Sequence, residues 1–254
     1  MFEHPFERIA RELREAIARG DYRPGELIPG QEELARKYGV GRPTVARAIS
    51  LLRADGLVTP VRKRGTIVRH PPLQLPLARY RPGLSATSTR GPWEEACAHA
   101  GVSGETRMLG VEQIPASEKV AKHLQVGAGT LVVRRWRHHL ADEQVVQIQE
   151  SVYPLELVEG TPLADSAKVT PGVYAALITA GHPPASITER VVARAATMEE
   201  VRTMELGSGV PVITVERVTY DAGGRPLELL HVVSAGDRSE LVYEGLPLGD
   251  PAAA

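Results

Sequence analysis

Between Gln31 and Leu52 the residue types admit few folds. Two short helices can cross at a tight turn only if their inner faces are apolar, one contact is small and the connection tolerates a positive φ. Leu34 and Tyr38 recur at a four-residue step, Ala35 is small, and Gly39 falls where the turn must be. Val40 plugs the corner, and Val45, Ile49 and Leu52 line the inner face of the next helix. An unrelated helical hairpin would have to meet all of these requirements by accident. The spacing predicts a helix-turn-helix.

The flanking segments complete a small domain over residues 1–70. Phe6, Ile9, Leu13 and Ile17 repeat at three- and four-residue steps and predict a helix from about Pro5, which Gly20 stops. Arg23-Pro24-Gly25 marks a turn. After Gly56, Leu57-Val58 and Ile67-Val68 read as two short strands around Arg62-Lys63-Arg64-Gly65. Three adjacent cations at a hairpin tip repel one another unless a phosphate backbone lies beside them, so the hairpin reads as a basic wing; the alternative is a solvated turn. Residues 1–70 carry 14 Lys/Arg against 9 Asp/Glu, and the remainder 16 against 22. A basic head on an acidic body is expected where only the head meets a polyanion. The exposed side of the second helix would present Arg42, Pro43, Thr44 and Arg47 to a DNA major groove. Arg42 and Arg47 suit guanine edges and phosphates equally.

Residues 71–92 are rich in Pro, Ser, Thr, Arg and Gly and read as a linker. A short helix is expected from Trp93 to about His99, and a second domain over 93–248, with a tail at 249–254. That domain contains an internal repeat at an offset of 80: Ser117 matches Thr197, Leu124 Met204, Gly127 and Gly129 match Gly207 and Gly209, Val133 Ile213 and Arg137 Arg217. Each copy reads as helix, Gly-x-Gly turn, strand, turn and strand, with a further helix near Gly172–Gly181 between the copies. Two helix-plus-hairpin units imply an antiparallel sheet with helices against it, an α+β domain.

Other classes find little support. No stretch reaches the roughly 18 to 20 apolar residues of a membrane span, and Met1-Phe2-Glu3-His4-Pro5 does not begin a secretory signal. A single cysteine, Cys97, excludes an internal disulfide framework and suits a reducing cytoplasm. His138 and His139 face opposite ways on a strand and cannot share a metal ion. No nucleophile and base stand at meaningful spacing, so no catalytic residue, metal or cofactor is expected. Leu131, Val133, Arg135 and Arg137 share one strand face by the period of two. Apolar residues giving way to two cations suit either a pocket mouth or an exposed Arg/Glu ladder.

With these residues in place, 5–70 resemble the DNA-binding domain of the GntR family of bacterial regulators. The shared pattern is Pro24-Gly25-Glu26-Leu27-Ile28-Pro29, Glu33-Leu34-Ala35, Tyr38-Gly39-Val40-Gly41-Arg42, Thr44-Val45, Gly56-Leu57-Val58 and Gly65-Thr66. The second domain is similar to the UTRA effector domain of the HutC subfamily, which has a chorismate-lyase-like fold. It shares the two repeat units, Arg135 and Arg137, Glu150-Ser151, Pro171-Gly172-Val173-Tyr174, Pro226-Leu227-Glu228 and Gly236-Asp237-Arg238. The resemblance implies a homodimeric regulator on a palindromic DNA operator, modulated by a small anionic effector. Arg42, Pro43, Thr44 and Arg47 would meet DNA with the wing residues Arg62, Lys63, Arg64 and Gly65. Arg135 and Arg137 would bind the effector's anion, and Glu150, Tyr174 and Glu228 would add polar contacts. Departures from the family pattern are Gly30-Gln31-Glu32 for Ser-Glu-Arg, Ala46 for an arginine, Lys63 for a wing glycine, and Ser234-Ala235 for Tyr-Arg. Two other readings are a constitutive repressor whose second domain only dimerises and an enzyme of lyase-like fold.

Overall fold

A computed structural model describes residues 3–61, 64–70, 73–76, 91–170, 172–207 and 209–243. The chain divides into two compact units, Met1–Pro72 and, in the main, Leu73–Glu205 with Pro211–Ala254.

The first unit begins with α1 (Pro5–Arg19). Pro5 lies in the first turn, where its missing N–H has no intrahelical partner to lose. The His4 N–H donates to the Glu7 carboxylate at 3.0 Å, and Gly20 ends the helix at φ 83°. α2 (Gln31–Tyr38) and α3 (Arg42–Ala54) are joined through Gly39, whose φ of 64° is left-handed as the turn requires. β1 (Val58–Val61) and β2 (Gly65–Val68) pair antiparallel with Val58 opposite Val68, and Leu27 adds a bridge to Ile67. One core joins these elements: Ile9, Ala10 and Leu13 from α1, Leu34 from α2, Val45, Ala48, Ile49 and Leu52 from α3, with Ile28, Val58 and Val68. Each large apolar side chain buried there contributes roughly 1.5–3 kcal/mol. The helical and wing periodicities of the sequence are therefore realised.

The second unit is built on a six-stranded antiparallel sheet. Its strands are β4 (Gly104–Pro115), β5 (Leu131–Ala141), β6 (Gln144–Pro154), β7 (Ser186–Ala195), β8 (Pro211–Tyr220) and β9 (Pro226–Ala235), in the order β4-β5-β6-β9-β8-β7. The two halves repeat each other. Each is a strand, a helix and a hairpin, with α5 (Glu118–Leu124) in the first and α8 (Met198–Thr203) in the second. Ser117 and Thr197 cap these helices, accepting from the Val120 and Glu200 N–H groups. Left-handed backbone recurs at the same offset, at Gln125 (φ 53°) and Glu205 (φ 49°), then at Gly129 (φ 82°) and Gly209 (φ 78°). The edge strands β4 and β7 extend each repeat beyond what the sequence pattern suggested.

Helices cover both faces of this sheet. On one, Ala121 and Leu124 of α5 meet Val132, Val152, Leu229 and Val218. On the other, Val133 and Tyr153 meet α6 (Leu155–Val158), Leu163 and Leu177 of α7 (Val173–Thr179). α4 (Pro92–His99) adds a cluster of Trp93, Cys97, Val102 and Val146. A short parallel pair stands apart from the sheet: β3 (Leu73–Pro76) lies beside β10 (Ser239–Val242). The architecture is α+β throughout, a helical head with a hairpin and an antiparallel sheet domain.

Candidate nucleic-acid interface and effector site

On α3 the helical period separates two sets of residues. Val45, Ala48, Ile49 and Leu52 are buried, while Arg42, Pro43, Arg47, Ser50 and Arg53 are exposed and Thr44 is half-buried. The four residues expected to meet DNA thus lie at the N-terminal end of one helix. Arg42 forms an ion pair with Glu32 of α2 at 2.8 Å. The Arg47 guanidinium stacks over the Phe6 ring, 4.0 Å from its centroid, which fixes its stem against α1. In the wing, Arg64 and Gly65 are exposed, and the Arg64 N–H closes the hairpin onto the Val61 carbonyl at 3.0 Å. Gly65 has φ 116°, and a Cβ there would stand 3.2 Å from Leu27. Arg62 and Lys63 lie outside the described residues.

The residues expected to hold an effector do not form one cluster. Arg135 and Arg137 do share a sheet face, since Arg135 stands opposite Ser151 and Arg137 opposite Gln149. Their environments differ. Arg135 is 1% exposed, and its guanidinium donates to the carbonyls of Leu163 (2.8 Å), Ala167 (2.8 Å), Pro162 (3.4 Å) and Asp165. Burial pushes its pKa below the ordinary arginine value, yet the carbonyls satisfy the charge in place of water. It latches the loop between α6 and α7 onto the sheet. Arg137 is half-buried, and both of its terminal nitrogens reach the Ser151 hydroxyl at 3.2 Å. Among the described residues it has no carboxylate partner within ion-pair distance.

The strand register extends this face. Next to Arg137 come Gln149, Gln147 and His139, and Gln147 stands opposite Ser234 of β9. All four are nearly buried. The Gln149 side-chain amide donates to Gln147 Oε1 at 3.0 Å. His139 stacks on Trp93, ring centroids 4.9 Å apart, and the Trp93 indole N–H donates to the Leu140 carbonyl at 2.7 Å. The Ser234 hydroxyl is buried without a hydrogen-bond partner among the described residues. A row of polar groups beneath a sheet domain, with a cation at one end and an unpaired hydroxyl at the other, is chemically suited to a polar ligand rather than a core.

Glu228 and Tyr174 lie toward the other end of the same face. Glu228, 2% exposed, accepts from the Tyr153 hydroxyl at 2.6 Å. Burial first, and the Glu228 charge second, raise the Tyr153 pKa well above its usual value. The Tyr174 hydroxyl reaches Thr219 at 3.2 Å, and Thr219 stands opposite Glu228. Glu150 is on the opposite face. Its carboxylate takes the Arg134 guanidinium at 2.6 Å, and Arg134 also reaches Glu112 at 3.0 Å. Residue 150 and residue 151 alternate across the sheet, so Ser151, not Glu150, stands beside Arg137. Gln147, Gln149, His139, Ser151 and Ser234 were not singled out from the sequence as site residues; the odd-numbered polar run on β6 was the available signal.

Comparison with known proteins settles the lineage. Residues 5–68 match the sequence signature of the "bacterial regulatory proteins, gntR family", and residues 99–240 that of the UTRA domain. The chain belongs to the GntR family, HutC subfamily. An uncharacterised helix-turn-helix regulator of Rhizobium meliloti is 31% identical over 238 residues, 93% of each chain. The transcriptional repressor NagR of Bacillus subtilis is 26% identical over 236 residues, 92% of each. Among solved structures, a GntR-family regulator superposes with a TM-score of 0.60 at 27% identity, covering 97% of this chain and 99% of that one. PhnF of Mycobacterium smegmatis shares the fold, with a TM-score of 0.61 at 22% identity over 95% and 100%. The GntR head is thus a DNA-binding unit, and the UTRA domain belongs to a class that binds effectors. The family is one of transcription regulators, not of enzymes. No helix among the described residues is long and apolar enough to cross a membrane.

Proposed function

We propose that this GntR-family regulator is a cytoplasmic repressor. It binds a palindromic operator as a homodimer and releases it when a small anionic molecule occupies the UTRA domain. α3 enters the major groove with Arg42, Pro43, Thr44 and Arg47, and the wing with Arg62, Lys63, Arg64 and Gly65 follows the adjacent backbone. Repression as the sign of regulation is supported by relatives that are repressors, among them NagR and the histidine utilization repressor of Klebsiella aerogenes, 27% identical over 241 residues.

One observation carries the ligand reading: Arg137 is a half-buried cation whose hydrogen bonds among the described residues go to a neutral hydroxyl, at the end of a nearly buried polar row. A carboxylate or phosphate would complete its hydrogen bonding with charge assistance. Ser151, Gln149 and the unpartnered Ser234 hydroxyl would read the ligand's hydroxyl or amide groups, with Tyr174 and Glu228 at the far end. Arg135 serves the same site by holding the α6–α7 loop rather than by touching the ligand, and Glu150, paired with Arg134 on the opposite face, takes no part in it. Operator affinity measured with and without candidate anionic metabolites tests this reading. Arg137→Ala is expected to bind operator as wild type does and to lose ligand-induced release, removing a coupling of roughly 1–3 kcal/mol. A variant that releases DNA at the wild-type ligand concentration would leave Arg137 a structural cation.

A further inference from the structure

The two edges of the six-stranded sheet are built differently. β4 is interrupted by an irregularity at Leu109, between Met108 and Gly110, and ends in Pro115; a bulge and a proline are devices that keep an edge from pairing with another chain. β7 has neither. Its ten residues, Ser186–Ala195, run against β8 in unbroken register, and no described strand lies on its other side. Alternate residues of such a strand direct N–H and C=O groups outward. Along it Ile187, Val191 and Val192 are 36%, 43% and 46% exposed. Val191 and Val192 are neighbours and therefore stand on opposite faces. A surface docked on one face would cover only one of them. A strand laid alongside β7 covers both and pairs the outward backbone groups as well.

From this edge we infer that β7 is the strand through which two copies of the chain join, pairing antiparallel with itself about a two-fold axis perpendicular to the sheet. This rests on the homodimer proposed above and names its surface. Such an axis keeps each face on its own side, so it must pass through a residue, and residues equidistant from it stand opposite one another. Charge selects the residue. An axis at Glu189 or at Arg190 sets that side chain against its own copy, and an axis at Val192 sets Arg190 against Arg194, each a destabilising like-charge pair. An axis at Val191 sets Val191 against itself, Arg190 against Val192, Glu189 against Ala193 and Thr188 against Arg194. It pairs nine residues with no like charges opposed. Glu189 is in any case engaged within its own chain by Arg217.

Sedimentation velocity on the full chain over a range of concentrations tests this, with Val191→Lys, the control Ile178→Lys on α7, and wild type. Val191→Lys replaces an apolar pair on the axis by two ammonium groups and is expected to raise the dimer dissociation constant by roughly 10-fold or more; the control is expected to match wild type. In the register given, Val191→Cys forms an interchain disulfide under mild oxidation, whereas Arg190→Cys places its sulfurs diagonally, roughly 7–8 Å apart at Cβ, and does not. A Val191→Lys protein that dimerises like wild type, or an Arg190→Cys protein that crosslinks as readily as Val191→Cys, overturns the assignment while leaving the dimer standing. A wild type that is monomeric throughout overturns the dimer itself.

Discussion

Arg135 and Arg137 have the same charge, lie two residues apart and share one face of β5, yet their surroundings divide their work. Arg135 meets four backbone carbonyls and Arg137 a serine hydroxyl. Replacing Arg135 by Ala would strip those carbonyls of their donor and release the loop. We expect a loss of about 2–4 kcal/mol from the second unit. Urea unfolding followed by tryptophan fluorescence reports on that unit, since both Trp93 and Trp136 lie in it. Arg135→Lys should recover only part, because an ammonium cannot span carbonyls spread over Pro162 to Ala167. An Ala variant as stable as wild type would leave the latch without energetic weight. A second residue-level expectation concerns Glu32, whose carboxylate holds Arg42 at 2.8 Å where both side chains are exposed. An exposed pair of this kind stabilises little, but its carboxylate stands where a polyanion would approach. Glu32→Gln frees Arg42 and removes a repulsion, so filter-binding at fixed salt should show affinity rising by roughly 3–10-fold for operator and unrelated DNA alike. Unchanged affinity would place α2 away from the phosphates.

At the level of elements, the parts legible in the sequence are those where one face is buried. Phe6, Ile9, Leu13 and Ile17 marked α1, and the offset-80 repeat marked both hairpins together with their helices. The edge strands were not legible for the converse reason: in β7 most side chains are exposed, so Ser186–Ala195 shows no alternation for a pattern to register. β3 and β10 were hidden differently. Four-residue strands that pair across more than 160 residues leave no local trace, and Leu73–Pro76 fell inside the segment read as linker. Arg135 and Arg137 were singled out from the sequence, but what each does depends on which carbonyls and hydroxyls come near, which only the fold decides. One local signal went unread: a threonine followed three residues later by a glutamate marks a helix start. Thr197 and Glu200 form a reciprocal cap on α8, and Arg194 of β7 grips Glu200 through contacts of 2.6 and 2.7 Å. The Arg194 hydrogen bonds, aided by the Thr197 N–H, hold the Glu200 pKa down to about 2. A carboxylate depressed in the folded state adds stability that is present above its unfolded pKa and lost as pH falls through the folded one. The contribution should therefore fade between about pH 5 and pH 2. Glu200→Gln should lose about 2 kcal/mol at neutral pH, discounted for the solvent that reaches Arg194. Its acid limb over the same interval should be flatter than that of wild type. Parallel acid limbs would show that the Arg194–Glu200 pair contributes nothing to folding.

For the whole molecule, charge is distributed by task. The first 70 residues hold an excess of five cations and the remainder an excess of six anions, so the attraction for DNA belongs to the head. If about five or six phosphates are neutralised per dimer, the logarithm of affinity should fall with the logarithm of salt at a slope near −5. The acidic body should add nothing to that slope per head. Specific affinity is another matter. One recognition helix contacts only a few base pairs, and useful binding comes from two heads held on neighbouring half-sites. The first unit has its own core of Ile9, Leu13, Leu34, Val45, Leu52 and Val68, so residues 1–75 should fold alone, as a monomer with an intact α3. If the full chain is the homodimer proposed above, that fragment keeps every contact to a half-site and loses only the link to its partner. Its affinity for the full palindrome should therefore fall by about 10²–10⁴-fold, while its salt slope drops to roughly half that of the full chain. Titrating both proteins against one palindrome at several salt concentrations separates the two effects. A fragment that binds as tightly as the full chain would remove dimerisation from the second unit's duties. A fragment that binds weakly with an undiminished slope would instead mean that a single head already meets all the phosphates.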